Sequence, residues 1–140
     1  MNLNIADIMA KRVITARPHH SVDHLRGLMQ RNRIHAVPIV GPDGDACGIV
    51  TTADLARKLK GETPVKRIMS TRVHCLPAYN DISTAARLMR KHKIHHVVVT
   101  HEKQVVGMIS SFDLLQLVED HRFTVKGAPS KPKRKPSEKR

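Results

Sequence analysis

Two stretches of this chain, GIVTTADL at residues 48–55 and GMISSFDL at 107–114, set a hydroxyl three positions ahead of an aspartate, behind a glycine-led apolar run. Such a run reads as a strand, and the hydroxyl and aspartate at its end read as the first turn of a helix. A helix start leaves backbone N–H groups unpaired and carries positive partial charge, so it attracts phosphate or another anion. The Thr51 or Ser110 hydroxyl adds a donor to such an anion. Asp54 and Asp113 would repel a phosphate, so each must face a different part of any ligand. Two acceptor oxygens suit a vicinal diol, as an acidic residue suits the ribose in dinucleotide folds. A ribose phosphate offers both partners. The same residues also spell a capping box, with the hydroxyl at the N-cap and the carboxylate reaching back to the N-cap amide. On one copy alone the cap is the simpler use.

The elements that position these residues also occur twice. IADIMAKRVITARPHHSVDHLRGLMQRNRIHAVPIV (5–40) lies over VKRIMSTRVHCLPAYNDISTAARLMRKHKIHHVVVT (65–100) with a period near sixty. Ile8-Met9 falls on Ile68-Met69, Leu28-Met29 on Leu88-Met89 and Ile34-His35 on Ile94-His95. One residue is then lost, and Gly48, Asp54 and Leu55 fall on Gly107, Asp113 and Leu114. This is an internal duplication. Each copy begins with a short segment, Ile5–Met9 or Val65–Met69, followed by an extended stretch, Arg12–Thr15 or Arg72–Leu76. Ser21 and Asp81 then read as N-caps of helices to Asn32 and His92, with Val22, Leu25, Leu28 and Met29, or Ile82, Ala85, Leu88 and Met89, facing inward. Strands are expected at Ile34–Val40 and Ile94–Thr100, and again at Ile49–Val50 and Val105–Ile109. A last helix is expected from Thr52 to Lys60, stopped at Gly61, and from Ser111 to His121. The order is β-α-β-β-α, twice. The fold class is therefore α+β, with two repeats packed sheet to sheet in pseudo-twofold symmetry around one shared core, and two related clefts between them. The division runs 1–61, 62–122 and a basic tail, 123–140.

These features, in order and twice over, resemble the tandem CBS domain, or Bateman module, across residues 5–120. The resemblance implies a stand-alone sensor of adenosine-containing ligands, with the ribose on Asp54 and Asp113 and the phosphate helped by Thr51 and Ser110. It also implies clefts shared between repeats. One pairs Ile49, Thr51 and Asp54 with Val73, Cys75, Ile94, His95 and His96. The other pairs Met108, Ser110 and Asp113 with Val13, Thr15, Ile34, His35 and Ala36. Histidines at the strand starts favour AMP, ADP or ATP over S-adenosylmethionine. The family default is a homodimer that passes ligand occupancy to a regulated protein as a change of shape. The family strand carries a proline, as Pro38 does; the second copy has Val98 there.

Other chemistries fit less well. With 140 residues and only Tyr79, Phe112 and Phe123 as aromatics, the core must come from aliphatic residues and Met. Cys47 and Cys75 make no disulfide framework, and nothing is long or apolar enough to span a bilayer, so a cytoplasmic protein with reduced thiols is expected. The ten histidines include His92, His95 and His96, but no Cys or carboxylate completes a zinc pattern, and no metal is expected. Cys75 and His74 are neighbours on a strand and point to opposite faces, and no other nucleophile–base grouping or phosphate loop is found, so no enzyme is expected. The formal charge is +13. Residues 126–140, KGAPSKPKRKPSEKR, hold seven Lys or Arg against one Glu, read as disordered and capable of non-specific nucleic-acid contact. The alternative to a sensor is thus an interaction scaffold with vestigial clefts, docked through this tail to nucleic acid or an acidic partner.

Overall fold

The computed structural model describes residues 3–121 and Gly127. The tail read as disordered and basic lies outside the described residues, apart from Gly127. In chain order the elements are α1 (Ile5–Ile8), α2 (Val22–Asn32), β1 (Ala36–Val40), β2 (Ala46–Thr51), α3 (Thr52–Leu55), a 3-10 turn (Val65–Arg67), β3 (Cys75–Pro77), α4 (Ile82–His92), β4 (His96–His101), β5 (Gln104–Ser110) and α5 (Ser111–Glu119). The fold is α+β and carries two repeats, as expected.

Each long helix has a side-chain cap. Ser21 Oγ accepts from His24 N at 3.1 Å, and Asp81 Oδ1 accepts from Ser83 N at 2.9 Å. Val22, Leu25 and Met29 of α2, and Ile82, Ala85 and Met89 of α4, are buried at helical spacing. Both helices end on a left-handed basic residue, Arg33 (φ 52) and Lys93 (φ 54).

The strands form a hairpin in each repeat, β1 with β2 and β4 with β5, both antiparallel. In the second repeat β3 adds in parallel to β4, making three strands. The matching strand expected at Arg12–Thr15 does not form; only Ala16 bridges to Ile39. The reason is Pro38. In the second repeat Val98 N donates to His74 O at 3.0 Å and ties β3 to its neighbour. Pro38 holds the equivalent position and has no N–H to give.

The helix expected from Thr52 to Lys60 also stops early, at Leu55. The chain must turn back at once to the start of α2, where Asp23 N donates to Gly61 O at 3.0 Å and Val22 N to Thr63 O at 2.9 Å. A straight helix to Lys60 would carry it away. The Leu55 carbonyl left open accepts instead from Arg26 Nη2 at 3.0 Å.

The expectation of one shared core is corrected as well. Buried residues form two clusters, and each is completed by the other repeat's leading segment. Val65 lies in the first with Val22, Leu25, Val37 and Ile39, and Ile68 and Met69 pack on it. Ile5 lies in the second with Ala85, Val97, Val99 and Ile109, and Ile8 and Met9 pack on it. Backbone bridges show the same exchange: Ser21–Pro64 matches Asp81–Asn4, and Ile49–Ser70 matches Met108–Ala10. This reciprocity is the pseudo-twofold relation expressed in packing and backbone hydrogen bonds. Burying a side chain such as Ile5 or Val65 is worth about 1.5–3 kcal/mol, so neither half closes its core alone.

Candidate functional site

The repeated glycine has a steric reason. A Cβ at Gly48 would collide with the Met69 side chain, and one at Gly107 would lie 2.7 Å from Met9 Sδ and 2.8 Å from Ala10 O. Each glycine therefore lets the other repeat's leading segment cross directly over β2 or β5. That crossing places Ile49 beside Ser70, just ahead of Val73, and Met108 beside Ala10, just ahead of Val13. The expected meeting of each hydroxyl–aspartate strand with the other repeat's extended stretch rests on these two pairs.

Both aspartates fold back onto their own helix start. Asp54 Oδ2 accepts from Thr51 N at 2.8 Å and from Thr51 Oγ1 at 3.2 Å. Asp113 Oδ2 accepts from Ser110 N at 2.8 Å and from Ser110 Oγ at 3.0 Å, while Ser110 Oγ accepts from Asp113 N at 3.2 Å. The capping box is thus built in both copies. It occupies one oxygen of each carboxylate; among the described residues no hydrogen bond falls on either Oδ1. Both side chains are half-buried.

The histidines at the strand starts pack beside the starts of α3 and α5. The hairpin register sets Ala36 opposite Thr51 and His96 opposite Ser110. His35 O accepts from Thr52 N, and His95 O from Ser111 N, each at 2.9 Å. The His95 ring reaches Ser111 Oγ from Nδ1 at 3.2 Å. These contacts hold His35 and His95 beside the helix starts of their own repeats, because a hairpin brings its own two strands together. His96 is half-buried, and desolvation holds its pKa below the usual histidine value, helped by His95 and His35 and opposed by Asp113. His35 thereby acts across the repeats on the Asp113 side. Thr52 and Ser111 are absent from the expected site residues; the doubled hydroxyls, Thr-Thr and Ser-Ser, are the signal that points to them.

Of the remaining expected positions, Val13, Thr15, Ile34, Val73 and Ile94 are half-buried, Ala36 is buried and Cys75 is exposed. An open groove lies beside His35 and Thr52, lined also by Ile34, Leu55, Arg26 and Arg33. Both cysteines are free thiols. Among the described residues no group of three or more His, Cys, Asp or Glu has the geometry to hold a metal ion, and no helix is long and apolar enough to cross a membrane.

The family model of the CBS domain matches this chain twice, at residues 5–61 and 65–120. The chain is similar to the CBS domain-containing protein YhcV of Bacillus subtilis, 27% identical over 79% of this chain and 82% of that protein. It is also similar to the uncharacterized protein MJ1404 of Methanocaldococcus jannaschii, 28% identical over 83% of this chain, but it spans only 32% of that relative's length. Among solved structures, the CBS domain pair of protein MJ0100 in complex with 5′-methylthioadenosine and S-adenosyl-L-methionine superposes with a TM-score of 0.80 at 27% identity, covering 86% of this chain and 98% of that one. An acetoin utilization protein, AcuB, from Vibrio cholerae superposes with a TM-score of 0.77 at 27% identity, over 86% and 93% of the two chains.

Proposed function

We propose, because this chain belongs to the CBS domain family as a tandem pair, that it is a regulatory module taking an adenosine nucleotide, AMP, ADP or ATP, in its inter-repeat clefts. The observation that carries the reading is the division of labour in the two carboxylates. Oδ2 of Asp54 and Asp113 holds the helix start, and Oδ1 is left to accept from a ribose diol. The two ligands of the MJ0100 pair are both 5′-substituted adenosines, so they share that diol. His35 and His95, beside the positive N-terminal ends of α3 and α5, favour an anionic 5′ substituent over the sulfonium of S-adenosylmethionine.

Binding in a cleft built from both repeats biases how the leading segments sit, and a ligand that prefers one arrangement shifts the population toward it. A regulated protein reads that shift. The chain works as a homodimer in the cytoplasm and carries out no chemistry of its own. An apolar stripe on α5 supports the dimer: Phe112, Leu115 and Val118 are 79%, 58% and 53% exposed.

One observation favours a second reading, a scaffold with vestigial clefts: both carboxylates already have a structural use as caps. Calorimetry separates the two. ATP should bind, and 2′,3′-dideoxy-ATP should bind at least tenfold more weakly, since a hydrogen bond to a charged group is worth about 1.5–3 kcal/mol. Equal affinities for the two, or no heat with any adenosine nucleotide, would leave the aspartates as caps only.

A further inference from the structure

We propose that the outward face of α4, built from Arg87, Arg90 and Lys91, is a docking surface for the phosphate backbone of nucleic acid. Arg87, Arg90 and Lys91 line one open groove with Ser83 and Ala86. The helix, ISTAARLMRKH, contains no acidic residue, and the carboxylate of its N-cap, Asp81, is engaged by Ser83 N. The ion pairs among the described residues are Arg26–Asp23 and His101–Glu102, and neither involves this face. Three cations thus stand side by side with no internal use.

The duplication supplies a control. Ser83, Ala86, Arg87 and Arg90 fall on Asp23, Arg26, Gly27 and Gln30 of α2. There Arg26 lies 3.6 Å from Asp23 and donates to Leu55 O at 3.0 Å, and the Arg31 guanidinium lies over Gly27. In the first repeat Arg26 serves the fold. In the second, an acid and a glycine have become a serine and an arginine, and the charge faces outward.

The chemistry favours nucleic acid over the other polyanions. Arginine forks bind phosphate bidentately. Arg87 to Lys91 spans about 6 Å of helix, and a strand of duplex offers a phosphate every ~3.4 Å of axis, so the face meets about two successive phosphates. A lipid-surface helix would turn its apolar side to the bilayer, but Ile82, Ala85 and Met89 of α4 are buried in the protein core. The sequence beyond residue 125 adds seven Lys or Arg against one Glu, which suits a uniform line of charge. The face carries no aromatic side chain, so contact is to the backbone and indifferent to base sequence.

The test is fluorescence anisotropy of a 30-base-pair duplex, as DNA and as RNA, with the full chain across a salt series. Arg87→Gln/Arg90→Gln/Lys91→Gln should weaken binding at least tenfold and lower the slope of log affinity against log salt by about 2 to 3. A control with the same charge change elsewhere, Arg31→Gln/Lys58→Gln/Lys60→Gln, should lose less than threefold, and circular dichroism should show both variants folded. Equal loss in the two variants, or none in either, overturns the assignment. So does tighter binding of the wild type to polyglutamate or to phosphatidylserine vesicles than to the duplex.

Discussion

The two repeats share a frame and differ in what hangs on it. In the first, the hydroxyl–aspartate helix runs four residues; in the second it runs nine. Ala36, buried, faces Thr51, whereas half-buried His96 faces Ser110. Pro38 denies the first sheet a third strand that Val98 permits in the second. The parts that do not differ are those where the other repeat crosses: the glycine under the crossing methionine, and the bridges Ser21–Pro64 and Ile49–Ser70, matched by Asp81–Asn4 and Met108–Ala10. The exchange of leading segments fixes the shared geometry, and each repeat is otherwise free to tune its own cleft.

That comparison can be broken most forcefully at the exchange itself. Ile5 is fully buried in the second repeat's core although it belongs to the first repeat's sequence. Ile5→Ala should cost about 2–5 kcal/mol, and the whole chain should still melt in one transition. Urea melts monitored by circular dichroism would show it; two separated transitions would mean that each repeat closes its own core. Next in size is Val98→Pro, which removes the bond to His74 O from a buried strand and should cost about 3 kcal/mol. The converse Pro38→Val should leave stability within about 1 kcal/mol, since it only offers a donor.

A smaller effect is expected at the glycines. Gly107→Ala should destabilise by about 1–3 kcal/mol, and Met9→Ala should not restore it, because the new Cβ also meets the Ala10 carbonyl. Gly48→Ala should be relieved by Met69→Ala, because there the obstacle is the methionine side chain. Rescue of both, or of neither, would make the crossings more alike than they look. The smallest effect concerns pH. His96 binds its proton less readily in the folded chain than the free side chain does. Stability should therefore be full above about pH 6.5 and fall as pH drops below that value. His20 and His74 are shifted the same way, each chiefly by burial. The fall in melting temperature between about pH 7.5 and 5.5 should be smaller in His96→Gln than in wild type; an unchanged fall would remove His96 from the account.

Much of this is legible in the sequence. The repeat, the caps at Ser21 and Asp81, the inward faces of α2 and α4, and the capping boxes all come from local spacing. Local spacing does not say which core a segment joins, so the exchange of Ile5 and Val65 is invisible to it. The short α3 arises from a distant demand, the return of the chain to α2. The missing strand at Arg12–Thr15 is readable in principle, because Pro38 stands in the neighbouring strand and a proline cannot donate to a ladder. The histidine grouping is readable too: antiparallel pairing of β4 with β5 sets His96 opposite Ser110.

The central claim is that each aspartate caps with one oxygen and grips a diol with the other. Asp54→Asn/Asp113→Asn tests it directly, because an asparagine oxygen can still cap while the amide turns an acceptor into a donor. The double variant should melt within about 1 kcal/mol of wild type yet bind ATP at least tenfold more weakly by calorimetry. Unchanged ATP affinity in the folded double variant would contradict the account.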